Sequence, residues 1–65
     1  MSDNNYVFDK MYDEAEGFYV NGEYEKALNV FQEAYKVEES NSCLNYIGCC
    51  YLELNDFITA TTIFK

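Results

Sequence analysis

The sequence predicts an all-α protein: tandem antiparallel helix-turn-helix hairpins, about four helices in all. Three observations carry that prediction. Apolar residues recur every three to four positions in segment after segment, which is the spacing of an amphipathic helix and not of a strand. The chain has no Pro, and two of its three Gly, Gly22 and Gly48, fall where a turn or a close helix contact is expected. Finally, the sequence matches itself when shifted by about 33 residues, Met11 falling on Leu44.

The first helix carries the stripe Phe8, Met11, Ala15 and Phe18. Asn4 or Asn5 is the candidate cap at its start, and Asn21-Gly22 offers the left-handed residue that ends it. A second stripe, Tyr24, Ala27, Phe31 and Ala34, with Leu28, Val30 and Tyr35 beside it, predicts a helix from about Glu23 to Glu38. The polar run Glu38-Glu39-Ser40-Asn41-Ser42 ends in cap-type residues, so a third helix begins there. Its core stripe is Leu44, Ile47, Gly48 and Tyr51, with Cys43, Tyr46, Cys50 and Leu54 on another side. Such a helix, apolar around much of its circumference, expects neighbours on two sides. Asn55-Asp56 repeats the break at Gly22-Glu23, and a fourth helix starts at Phe57 and continues through Ala60, Ile63 and Phe64.

Composition excludes several functions. Sixty-five residues hold one small domain. Four Lys against twelve Asp plus Glu, a net charge of -8, argue against a nucleic-acid partner, because phosphate binding needs clustered cations. No apolar run approaches the roughly 20 residues of a membrane span, so no membrane role is expected. The start Met1-Ser2-Asp3-Asn4-Asn5 resembles neither a secretory signal nor a transit peptide, which suggests a cytoplasmic chain. Disorder is disfavoured by a hydrophobic content of 49%.

Catalysis is not expected. There is no His to activate a cysteine, no phosphate loop, and adjacent acids such as Asp13-Glu14 do not converge on one substrate from a helix. No cofactor is expected. The odd cysteine count, Cys43, Cys49 and Cys50, reads first as reduced structural thiols. A redox-sensing Cys49-Cys50 pair, or a metal shared between chains, are the other readings.

The pairs matched by the shift are Met11 with Leu44, Ala15 with Gly48, Phe18 with Tyr51, Gly22 with Asn55, Glu23 with Asp56, Tyr24 with Phe57, Ala27 with Ala60, Val30 with Ile63 and Phe31 with Phe64. Small residues pair with small, aromatic with aromatic, turn with turn. Antiparallel helices approach closely only where a small side chain faces the partner, which is the place of Ala15, Gly48, Ala27 and Ala60. Phe18, Tyr51, Tyr24 and Phe57 flank the turns and are expected to fill the wedge beside them.

With these residues the chain resembles the tetratricopeptide repeat (TPR) family, helix-turn-helix units of about 34 residues. The first unit spans about residues 8–40 and the second about 41–65, the latter incomplete. Met11 and Glu14 stand where the family usually has Trp and Leu. The resemblance implies a superhelix whose first helices line a groove for a peptide or a partner protein.

At 100 degrees per residue, Asp9, Tyr12, Glu16 and Tyr19 form one stripe on the first helix, and Ser42, Asn45, Cys49 and Leu52, with Glu53 at its edge, form the equivalent stripe on the third. The plain alternative is a solvated face with incidental Tyr. The groove reading is favoured by two exposed Tyr set beside carboxylates. Family members that clamp an acidic C-terminal carboxylate use inward Lys and Asn, whereas Tyr12 and Glu16 stand there in this chain. A basic or neutral protein segment is the expected partner. An alternative role is self-assembly, with two copies meeting through the end near Ile63 and Phe64, or the chain being one piece of a longer repeat protein.

Overall fold

The computed structural model describes residues 3–64, with side chains from Tyr6 onward, as four helices. They are α1 (Asp3–Val20), α2 (Tyr24–Val37), α3 (Asn41–Glu53) and α4 (Phe57–Phe64). Met1, Ser2 and Lys65, the ends of the expected 1–65 domain, lie outside the described residues. Consecutive helices pack on one another, α1 on α2, α2 on α3 and α3 on α4. No described helix is long and apolar enough to cross a membrane.

The repeat is visible in the turns. Gly22 has φ +84°, and Asn55, at the matching position of the second hairpin, has φ +67°. Each closes its helix with the same pair of bonds. Gly22 N–H donates to Tyr19 C=O (3.1 Å) and Glu23 N–H to Phe18 C=O (2.9 Å); Asn55 N–H donates to Leu52 C=O (3.0 Å) and Asp56 N–H to Tyr51 C=O (2.8 Å). This is the Schellman arrangement, which needs a left-handed residue and therefore selects Gly or Asn.

The helix starts are less uniform. Ser40 caps α3 by accepting from Cys43 N–H at 3.3 Å. Asp56 caps α4, taking Thr59 N–H (3.3 Å) on one oxygen and the Thr59 hydroxyl (3.0 Å) on the other. The N-cap of α2 is Glu23, whose side chain makes no capping bond. Neither Asn4 nor Asn5 caps α1, which already begins at Asp3. Nothing in that polar stretch breaks a helix, so both Asn fall inside it.

The core joins Phe8, Ala15, Ala27, Phe31, Ala34, Cys43, Ile47 and Cys50, with Phe31 fully buried. Ala15, Ala27 and Ala60 are wholly buried, and a Cβ on Gly48 would stand 2.6 Å from Cζ of Phe64. The small residues thus lie at the close contacts that their spacing predicts.

Two expectations need correction. Cys43 and Cys50, read as a side of α3 apart from its core stripe, join the central core; the Cys43 thiol donates to Phe31 C=O at 3.1 Å. Phe57 does not fill the wedge beside its turn, being 58% exposed. Its counterpart Tyr24 leans edge-on against Tyr19, with centroids 5.2 Å apart. The second hairpin has the smaller, exposed Leu52 where the first has Tyr19, so Phe57 lacks an equivalent ring to pack against.

Candidate functional site: the α1/α3 face

Three tyrosines decide the shape of the face formed by α1 and α3. Tyr46 of α3 stacks on Phe31 with centroids 4.6 Å apart and planes 10° from parallel. Tyr12 and Tyr19 of α1 meet the same ring edge-on at 5.6 and 5.4 Å. Tyr12 also touches Phe8 and Phe31. Offset and edge-to-face pairs each contribute about 0.5–1.5 kcal/mol beyond area burial, so this cluster is a principal tie between the two hairpins. Bridging by long rings keeps the α1 and α3 backbones apart and leaves a cleft.

The Tyr46 hydroxyl donates to Oε2 of Glu16 at 2.8 Å. That bond to an anion, then burial, pushes the Tyr46 hydroxyl up to about 12. Burial raises Tyr12 and Tyr19 as well, with Glu16 adding to the first and Cys49 and Glu53 to the second. All three rings therefore carry neutral hydroxyls at neutral pH.

Two adjoining hollows follow the cleft. One, of about 490 Å³, is lined by Phe8, Asp9, Tyr12, Asp13, Ser40 and Ser42. The other, of about 250 Å³, is lined by Tyr12, Ser42, Asn45, Tyr46 and Cys49. Tyr12 and Ser42 border both, so the two hollows adjoin, one beside the α2–α3 turn and the other along α3. No lysine lines either hollow. The two ion pairs among the described residues, Lys26–Glu23 at 2.9 Å and Lys36–Glu33 at 3.4 Å, are solvent-exposed pairs of α2 and its cap.

The stripes read from the sequence are distributed unevenly over this face. Asp9 and Tyr12 border the larger hollow, while Tyr12, Asn45 and Cys49 border the smaller. Glu16 is held by Tyr46, and Tyr19 lies near Cys49 and Glu53. Leu52 is 40% exposed and borders neither hollow. Tyr12 and Tyr19 are half-buried, not exposed, because their rings are spent on Tyr46 and its neighbours. Of the proposed self-association pair, Ile63 packs against the core cluster and Phe64 lays its ring on Gly48 while remaining 47% exposed.

Tyr46, Phe8, Asp13 and Ser40 are the residues of this face that the stripes omit. A signal for Tyr46 existed: it stands three residues after Cys43 and four before Cys50, on the helix side that those buried thiols share. Among the described residues, no group of three or more His, Cys, Asp or Glu is arranged to hold a metal ion. Comparison with models of protein families, with curated proteins and with solved structures finds nothing that matches this chain.

Proposed function

We propose that the chain is a non-catalytic, TPR-like protein-interaction module of the cytoplasm that receives an extended, basic or neutral segment of a partner along the α1/α3 cleft. The observation that supports this most directly is the pair of adjoining hollows along the cleft, with aromatic walls at Phe8, Tyr12 and Tyr46 and carboxylates at Asp9 and Asp13. Aromatic surface supplies contact area at low entropic cost, and the carboxylates steer and orient cationic side chains. Exposed charges act mainly on encounter, so binding weakens as salt rises.

The test is a fluorescence-anisotropy screen of short peptides that differ in charge and in whether they end in an acidic carboxylate. Lysine-containing and neutral extended peptides bind best, and Asp9→Lys or Asp13→Lys reduces their affinity at least several-fold. Both positions are exposed, so the fold survives the change, as circular dichroism checks. Tyr12→Ala is a poorer probe, because it removes three ring contacts along with the groove wall. Preference for acidic C-terminal peptides, or indifference to the two lysine substitutions, removes the reading.

A further inference from the structure

The two ends of the helical stack differ in chemistry. On α3, the residues turned toward α2 include Cys43, Tyr46, Ile47 and Cys50. At the matching positions of α1 the chain has Lys10, Asp13, Glu14 and Gly17, all exposed. That end of the stack is closed by charge, and covering it with an apolar surface would desolvate three ionised groups.

The α4 end is the opposite. Phe57, Ile58, Thr61, Thr62 and Phe64 fall within one arc of the helix and are all exposed, Ile58 at 84%. The other side of α4, Thr59, Ala60 and Ile63, faces the protein. No residue of Phe57–Phe64 is charged, in a chain with a net charge of -8. The Thr62 hydroxyl donates to Ile58 C=O at 3.1 Å, so it needs no water if the face is covered. Phe64 occupies the place of Phe31, whose ring is wholly buried beneath Tyr46, yet stays 47% exposed.

We propose that this face is a contact between two copies of the chain, joined α4 to α4 about a two-fold axis. Several features select a second copy in that arrangement. Two chains of charge -8 repel wherever charged surfaces meet, and α4 is the helix on which they do not. An uncharged face is complementary to itself and offers no ion by which a foreign partner would be selected; its one hydroxyl without a partner among the described residues, Thr61, lies near the two-fold axis, where it can meet its own copy. Head-to-tail stacking is disfavoured by Lys10, Asp13 and Glu14 at the other end, which leaves the closed, isologous pairing. The centre of the contact falls at Ile58 and Thr61, not at Ile63. An eight-residue helix is only about 12 Å long, so the contact is smaller than a standard interface and the dimer is weak.

Sedimentation equilibrium over about 10 μM to 1 mM brackets the dissociation constant, on the order of 0.1 mM, expected for so small a contact. Mass rises toward that of a dimer and stops there, and added sodium chloride shifts the equilibrium toward dimer by screening the like charges. Ile58→Asp abolishes the rise while helicity is unchanged, since the side chain is almost fully exposed. An equimolar mixture of Ile58→Asp and Ile58→Lys chains restores it. A monomer across the whole range, a ladder of larger species, or an Ile58→Asp chain that still dimerises each overturns the proposal.

Discussion

At the scale of single residues, Tyr46 couples the packing of the two hairpins to a charge on the binding face. Its hydroxyl is the only part of the ring that Phe lacks, so Tyr46→Phe removes the bond to Glu16 while keeping the stack on Phe31. A bond to a half-exposed carboxylate contributes about 0.5–1.5 kcal/mol net, and a loss of that size is expected in urea unfolding. The pH dependence follows from the same bond. Tyr46 holds its proton up to about 12 when folded, against an ordinary value of 10.0. Its contribution is complete below pH 10 and is lost as the pH rises toward 12. Cys43 and Cys50, raised by burial from 9.0 to about 11, act in the same direction over pH 9 to 11. Melting temperature should therefore fall from pH 9 upward, and Tyr46→Phe should flatten the part above pH 10. The thiols also make a chemical prediction. Iodoacetamide should modify half-buried Cys49 in the native state and reach Cys43 and Cys50 only when the protein opens, which peptide mapping after timed quenching reads directly.

At the scale of the helix, α4 is the weak element. It has eight residues, five of them the β-branched Ile58, Thr59, Thr61, Thr62 and Ile63, and its N-terminus depends on Asp56. Asp56→Ala should cost about 1 kcal/mol, and in hydrogen exchange the amides of α4 should lose protection before those of α2 or α3. Uniform protection of all four helices would contradict this ranking. The helices and their stops were legible in the sequence because each depends on local chemistry: the period of apolar residues, and the left-handed residue at Gly22 and Asn55. The small residues at the crossings were legible through the internal match. Tyr46 was legible only as a member of the apolar side it shares with Cys43 and Cys50; its role was not, because the shift pairs it with Asp13 and its partners Phe31, Tyr12 and Tyr19 come from two other helices. Contacts between hairpins leave no periodic trace. The same lack hid the burial of Tyr12 and Tyr19, whose spacing marks the face they occupy but not the ring that covers them.

For the molecule as a whole, the charge imbalance is distributed against the fold as well as against association. α1 alone carries Asp3, Asp9, Asp13, Glu14 and Glu16 with a single Lys10, and the two ion pairs on α2 are exposed contacts between neighbours in sequence. Exposed pairs of that kind contribute about 0.3–0.5 kcal/mol each and are screened by salt, so their loss at high ionic strength is small. The repulsion among the remaining carboxylates is screened by the same salt, and there are more of them. Net self-repulsion therefore wins, and the folded state should be less stable at low ionic strength. Raising sodium chloride from about 10 mM to 0.3 M shortens the Debye length from about 30 Å to under 8 Å, less than the distance across the helical face, and should raise the melting temperature by a few degrees. Chloride is the appropriate anion, because sulfate would strengthen apolar burial and imitate the effect. Low-micromolar protein keeps the α4 contact open, so that any rise belongs to the monomer. A melting temperature that falls with salt would mean that the two lysine pairs outweigh the eight uncompensated negative charges.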